Sequence, residues 1–246
     1  MSKRLVWSAA LLAMMSAIFT ATARGTEATV TLDMYSAYVW RGMTFNDGFV
    51  LQPSLDVALP GGFGVNVWGN FDLDDYGGRL NDDEFSELDV TLSYSLPLET
   101  VDLTMGVIQY TFPQQLGPDA SDTIEIYASA SYEVLDGLSC GLDVYYDVDQ
   151  VDDYYASASL SYARDLAERL GGEINTSAGY VGGKWSANNK AGFFDYSVGL
   201  ALTYAVTDSM SAGISASFVG SLDGSVLTDD MVDETFFYGA SVSGTF

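Results

Sequence analysis

The groups that could do chemistry in this sequence are carboxylates. Its 246 residues hold 34 Asp and Glu against 9 Lys and Arg, with no His and 1 Cys. Paired carboxylates can run glycoside hydrolysis, and a close trio can hold Ca²⁺ or Mg²⁺ through hard oxygen ligands. Mechanisms that turn on imidazole, from Ser-His-Asp hydrolysis to H-E-x-x-H zinc chemistry, are excluded. The lone Cys140 cannot close an intramolecular disulfide, and a chain this poor in basic residues lacks the face that nucleic acid requires. Carboxylate pairs are inevitable among so many acids and no segment marks a substrate cleft, so neither an enzyme nor a cofactor is expected. What the acids do must follow from the elements that carry them.

Composition narrows those elements. The net charge is −25, yet only 17% of residues are charged, while 48% are hydrophobic and 13% aromatic; a disordered acidic chain would lack the aromatics. Residues 1–25 read as a secretory signal peptide. Lys3 and Arg4 form its basic start, Leu5 to Phe19 its apolar run, and Ala21-Thr22-Ala23 the small residues before a cut after Ala23 or Gly25. The apolar run is short of the ~20 residues a membrane helix needs. Cleavage after Gly25 takes Lys3, Arg4 and Arg24 from the 9 basic residues and leaves 6 against 34 acidic ones. Residues 26–246 therefore carry −28.

From Ala28 onward the hydrophobic period is two. Val30, Leu32, Met34, Tyr38 and Trp40 fill one parity, and Thr29, Thr31, Asp33, Tyr35 and Arg41 the other. The alternation predicts strands near 28–40, 49–59, 63–73, 85–96, 101–112, 123–134, 138–148, 154–163, 172–181, 193–204, 210–219 and 234–246. Strands of this length suit a tilted crossing of a membrane, whereas strands of soluble sheets are usually nearer five or six residues. Tight turns such as Pro60-Gly61-Gly62 and Leu135-Asp136-Gly137 alternate with longer polar loops near 41–48, 74–84, 113–122, 182–192 and 220–233. That layout predicts an all-β fold, a single antiparallel up-and-down transmembrane β-barrel of about 12 strands over 26–246, with short turns inside the cell envelope and longer loops outside. Two connections fit less well: the outer loop at 149–153 is short, and 164–171 is long enough for one helical turn.

The aromatic residues sharpen the expectation. On the apolar parity, Tyr38, Trp40, Phe49, Phe71, Tyr146, Tyr154, Phe194, Tyr196, Phe236 and Tyr238 fall at loop ends, and Phe63, Tyr94, Tyr132, Tyr162, Tyr204 and Phe246 at turn ends. Two girdles around an aliphatic band are what the two interfaces of a bilayer select. The expected surroundings are outer-membrane lipid and lipopolysaccharide of a Gram-negative bacterium. The last strand ends in Phe246, like the C-terminal signature by which the barrel-assembly machinery takes up its substrates. Cys140 faces lipid on this parity and is a packing residue.

The opposite parity is the expected pore lining: Asp33, Tyr35, Arg41, Asp56, Asp72, Glu87, Asp89, Asp102, Tyr110, Glu125, Glu133, Asp143, Asp147, Glu173 and Asp195, among Ser, Thr, Gly and Asn. So many like charges would be intolerable in a dry core and are tolerable beside water and counter-ions, which predicts a wet lumen. Inward acids lower the energy of a cation in a low-dielectric wall. Asp72, Glu87 and Asp89 converge in the outer half and are the weak candidate for a divalent-metal site, although no calcium-loop pattern accompanies them and no metal is expected.

The run Ser36-Ala37-Tyr38-Val39-Trp40-Arg41-Gly42, followed by Asn46-Asp47-Gly48, Leu51-Gln52-Pro53 and Val67-Trp68-Gly69, resembles the start of the TorF-type porin family of proteobacteria. The close match covers about the first 50 residues after the signal. It implies an outer-membrane channel whose solute is not defined at family level, with Tyr38, Arg41 and Gly42 carrying the motif. Gly42 would supply the turn at the strand's end. Arg41 has two readings, a loop-edge ion pair with Asp47 or a place at a pore constriction. The resulting expectation is a porin for passive diffusion of small hydrophilic solutes, preferring cations. Its competitor is a plugged structural or adhesive barrel whose acidic loops bind divalent cations bridging to lipopolysaccharide.

Overall fold

Alternating side chains give every strand one apolar face, and twelve such strands can bury their backbone polar groups in lipid only by closing on themselves. The computed structural model describes residues 25–74, 76, 82–113, 122–186 and 188–246, and in it they close in that way. The wall strands are β1 (Glu27–Tyr35), β4 (Val50–Ala58), β5 (Phe63–Asp72), β6 (Glu84–Leu96), β7 (Asp102–Thr111), β8 (Thr123–Leu135), β9 (Leu138–Asp147), β10 (Asp153–Ala167), β11 (Leu170–Val181), β12 (Gly192–Ala205), β13 (Met210–Ser221) and β14 (Phe236–Thr245). Each pairs antiparallel with its neighbours, and β1 closes the ring between β14 and β4. Thr29 stands opposite both Thr245 and Asp56. The terminal Phe246 exchanges backbone hydrogen bonds with Ala28 at 2.9 and 3.2 Å, so the last residue helps close the barrel. The predicted signal peptide lies outside the described residues, as does most of the loops predicted at 74–84 and 113–122.

The outward face is the lipid face. Leu92, Leu142, Leu200 and Ile214 are each more than half exposed, which lipid, not water, can accommodate. Aromatic pairs mark its two borders. Phe63 lies 5.0 Å from Tyr94 at the turn end, and Phe218 lies 4.7 Å from Phe236 at the loop end.

Three expectations need correction. The first predicted strand does not run to residue 40. It ends at Tyr35, and the chain turns inward as a separate hairpin, β2 (Tyr38–Trp40) and β3 (Met43–Asn46). Tyr38 and Trp40 therefore leave the girdle and lie inside the barrel, where Tyr38 is buried. Phe194 also leaves the girdle. A register shift between β11 and β12 at Ala178/Tyr180 sets Phe193 opposite Tyr180 on the outside and turns the next residue inward, so that Phe194 has no exposed surface. Finally, residues 164–171 form no helical turn, because β10 and β11 continue to Ala167 and Leu170 and leave only a tight connection.

Candidate functional site

The inward hairpin builds the site. Its tip is Arg41-Gly42, with φ of +49° and +76°, and Trp40 stands opposite Met43. Two consecutive left-handed residues are what a two-residue hairpin of primed type requires. Gly42 is needed for space as well as conformation. A Cβ there would lie 2.6 Å from the Cβ of Asp195 on β12, so the tip is pressed against the wall. The base is tied down by Asn46, which is fully buried, donates to Asp72 Oδ1 at 2.7 Å and accepts from the Gly48 amide at 2.8 Å.

Arg41 reaches across to β8. Its two terminal nitrogens donate to the two oxygens of Glu125 at 2.7 and 2.8 Å, and Tyr110 donates to Glu125 Oε2 at 2.9 Å. The Arg41 and Glu125 side chains are 6% and 1% exposed. Four aromatic rings surround the guanidinium: Trp40 at 4.1 Å from its carbon, Tyr155 at 4.3 Å, Tyr145 at 4.6 Å and Trp185 at 5.1 Å. A weakly hydrated planar cation suits such faces, and a desolvated one gains most from them. Tyr145 and Tyr155 are inward residues of β9 and β10, whereas Trp185 comes from a single 3-10 turn, Gly183–Trp185, between β11 and β12. Beside the pair lies a cavity of about 240 Å³ lined by Trp40, Tyr110, Glu125, Trp185 and Glu87, among others.

Other predicted lining residues are already engaged at this outer level. Tyr38 donates to Glu87 at 2.8 Å, Asp72 also accepts from Asn70, and Tyr155 donates to Asp195 at 3.1 Å. Asp147 accepts from Thr123 and from the amides of Asp149 and Val151, which makes it the organiser of the short loop before β10. Asp89 stands across from Trp68 and Tyr110, and its buried Oδ1 meets no donor among the described residues. Met43 joins Tyr155, Val181, Phe194, Val226 and Leu227 in a packed apolar cluster. The outer half of the lumen is therefore narrowed by packed side chains, where the inward acids of the sequence predict a wet lumen. Glu87, Glu125, Asp147 and Asp195 tolerate this packing because donors reach them, whereas Asp89 Oδ1 and Asp72 Oδ2 are buried without one among the described residues.

The inner half differs. Asp56 and Glu173 line it near the turn ends of β4 and β11, opposite Asn66 and Ala163, while Asp33 and Asp143, opposite Ser241 and Ser129, stand further along β1 and β9 toward the loops. Asp56 accepts from Asn66 at 2.7 Å and Glu173 from Asn175 at 3.2 Å, both exposed pairs. Tyr35 lies over Gly239, edge-on to Phe237. Asp102 sits at the turn end of β7, and Glu133 caps the turn at Gly137 at 3.0 Å, so both belong to the rim and not to the bore. Arg41 pairs with Glu125 and not with Asp47, which corrects the local ion-pair reading. Asp72, Glu87 and Asp89 form no metal-holding group with each other or with other acids among the described residues.

The outer loops carry their own ion pairs. Lys184 binds Asp152, and Lys190 binds Asp223 at 2.8 Å. Hydrogen bonds from Lys184 and Tyr146 hold the Asp152 carboxyl below its ordinary pKa, and those from Lys190 and Ser225 do the same for Asp223. Asp152 in turn raises the Lys184 ammonium.

Sequence reading identified Arg41, Glu125 and Tyr110 separately but missed the cage. Tyr145 and Tyr155 were detectable as inward tyrosines by parity, whereas Trp185 stands in a loop with no period to read.

Solved structures share the architecture at low sequence identity. The chain is similar to the KdgM porin, with a TM-score of 0.55 and 11% identity over 89% of this chain and 99% of that one. The NanC porin gives 0.56 and 11% over 88% and 98%. The COG4313 outer membrane channel from Pseudomonas putida F1 gives 0.57 and 12% over 92% and 97%. These likenesses establish the fold. No curated protein matches the chain in sequence. A family model matches residues 20–238, from before the first strand to the first residues of the last, and the chain therefore belongs to Gcw_chp, a family of bacterial proteins of unknown function.

Proposed function

We propose that this chain is a porin-like channel of a Gram-negative outer membrane, passing small hydrophilic solutes by passive diffusion, with its bore narrowed by the hairpin and its inner half favouring cations. The observation that carries the reading is the division of the lumen. Below the packed outer level, the wall is lined by Ser, Asn and acids that form no ion pair among the described residues, Arg41 being paired with Glu125 and Arg164 with Asp136. Water and counter-ions are the natural partners of such a surface. The barrel architecture shared with outer-membrane channels supports the reading, as does the resemblance to TorF-type porins. The KdgM porin has been described in complex with oligogalacturonate. An acidic bore would repel that polyanion, so the solute class here differs. The lipid face meets outer-membrane lipid and lipopolysaccharide, and the strand ending in Phe246 is the segment offered to the barrel-assembly machinery.

One observation favours the second reading, a plugged barrel with a structural role. The hairpin is tied to the wall through Trp68, Glu87, Glu125 and Asp195, which lie on different strands. Single-channel recording in planar bilayers separates the two. Small steps are expected from the refolded wild type, and larger ones when residues 37–47 are replaced by a short Gly-Ser linker. Silence from both would exclude the channel and leave the plug.

A further inference from the structure

The surroundings of Arg41 are those of a ligand. Glu125 presents both oxygens to the guanidinium in a fork, the geometry that distinguishes guanidinium from a point-charge ammonium. Tyr110 holds that carboxylate from the other side. Tyr145 and Tyr155 give ring faces from the wall, and Trp185 gives a third from an outer loop. None of these residues belongs to the hairpin. The wall therefore carries a carboxylate among aromatic faces, and the hairpin supplies the cation that fills the seat, together with Trp40, which also lines it. The seat also has room beside it. The cavity of about 240 Å³ reaches Glu125 between Tyr110 and Trp185. It is below the roughly 300–1,000 Å³ typical of drug-sized sites, which suits a small solute.

We propose that Glu125, Tyr110, Tyr145, Tyr155 and Trp185 form a binding site for small guanidinium compounds, and that Arg41 is its built-in occupant, displaced when such a solute arrives. Displacement frees the tip of the hairpin that narrows the bore, so the same event that binds the solute loosens its passage. As a statement about transport this rests on the channel reading. The seat itself does not.

A tethered occupant competes at an effective concentration of roughly millimolar order. Free guanidinium compounds should therefore bind the wild type weakly and a chain without Arg41 well. The test uses the refolded full chain in detergent micelles, with tryptophan fluorescence as the readout and two monovalent probes of similar length, butylguanidinium and pentylammonium. Butylguanidinium should bind Arg41→Ala at least tenfold more tightly than wild type. The double variant Arg41→Ala, Glu125→Gln should lose at least tenfold of that gain. Pentylammonium should bind Arg41→Ala at least tenfold more weakly than butylguanidinium. Equal affinity of wild type and Arg41→Ala, equal affinity of the two probes, or indifference to Glu125→Gln overturns the proposal.

The wild type tests it again if Arg41→Ala does not fold. Tens of millimolar butylguanidinium should expose the hairpin to chymotrypsin at Trp40 and Phe45, and pentylammonium should not. Unchanged cleavage with butylguanidinium counts against the seat. Because none of these measurements needs conduction, binding without bilayer currents would refute the channel alone, and currents without binding would refute the seat alone.

Discussion

Arg41 adopts a backbone conformation that arginine rarely takes. Its φ of +49° lies in the left-handed region, where asparagine and glycine are at home and other residues pay on the order of 1 kcal/mol or more. The conformation persists because the side chain is held by a buried fork and four rings. Two substitutions separate backbone from side chain. Arg41→Asn suits the turn but leaves Glu125 buried without its cation, a loss of about 3–5 kcal/mol by the usual cost of breaking such a pair. Arg41→Lys keeps the charge but not the fork, and should cost less, about 1–2 kcal/mol. Both should expose the hairpin to chymotrypsin in the order Asn over Lys over wild type, and equal exposure of the two would show that charge alone holds the tip. Gly42→Ala attacks the same point from the other side. Its Cβ would meet Asp195 at 2.6 Å in a left-handed conformation, and the strain, about 1–3 kcal/mol, should lower the apparent melting temperature of the hairpin as read by its tryptophan fluorescence.

The wall strands were legible because each is a long run of strict alternation, and alternation in a closed barrel is set by the pleat alone. The hairpin was not, because Tyr38-Val39-Trp40 continues the apolar parity of β1 across Ser36-Ala37 and hides the point where the chain turns inward. Phe194 was misread for a related reason. A single extra residue in the β11–β12 ladder reverses the faces beyond it, and Phe193-Phe194 offers an aromatic residue to either side. The long-range partner of Arg41 was also beyond reach, since Glu125 is 84 residues away and only the closed ring brings the two together. The outer loops give a prediction at this scale. The lowered carboxyls of Asp152 and Asp223 mean that their lysine pairs contribute above the ordinary carboxylate value of about 4 and are lost only as pH falls through the lower folded values. On the alkaline side, the raised Lys184 ammonium keeps its pair intact past the ordinary lysine value of about 10.4, and the pair is lost as pH rises through the raised one. A nitroxide at Ala191→Cys in a Cys140→Ala background should therefore keep one mobility from pH 7 to about pH 4 and loosen only below. Lys190→Met should bring loosening on at higher pH, and an onset unmoved by that change would detach Asp223 from the clamp.

At the scale of the whole molecule, the excess of 34 acidic over 9 basic residues is distributed by depth. The acids of the outer level are spent on structure: Asp72 and Glu87 fasten the hairpin, Glu125 seats Arg41, and Asp147 folds a loop. Those charges are shielded by donors and are poor candidates for setting the preference of the pore. Asp102 and Glu133 belong to the rim. On the proposed channel reading, selectivity would rest on Asp33, Asp56, Asp143 and Glu173, which make no ion pair with a basic residue among the described residues. The consequence is specific. In a bilayer with a tenfold KCl gradient, the reversal potential should have the sign of cation preference, and raising both baths toward 1 M, where screening acts within about 3 Å, should shrink it. Asp33→Asn with Asp56→Asn should reduce the preference, whereas Asp147→Asn should leave it nearly unchanged while loosening the loop before β10. The opposite ranking would mean that ions are selected at the outer constriction, and anion preference would mean that the inward acids are neutralised in the membrane.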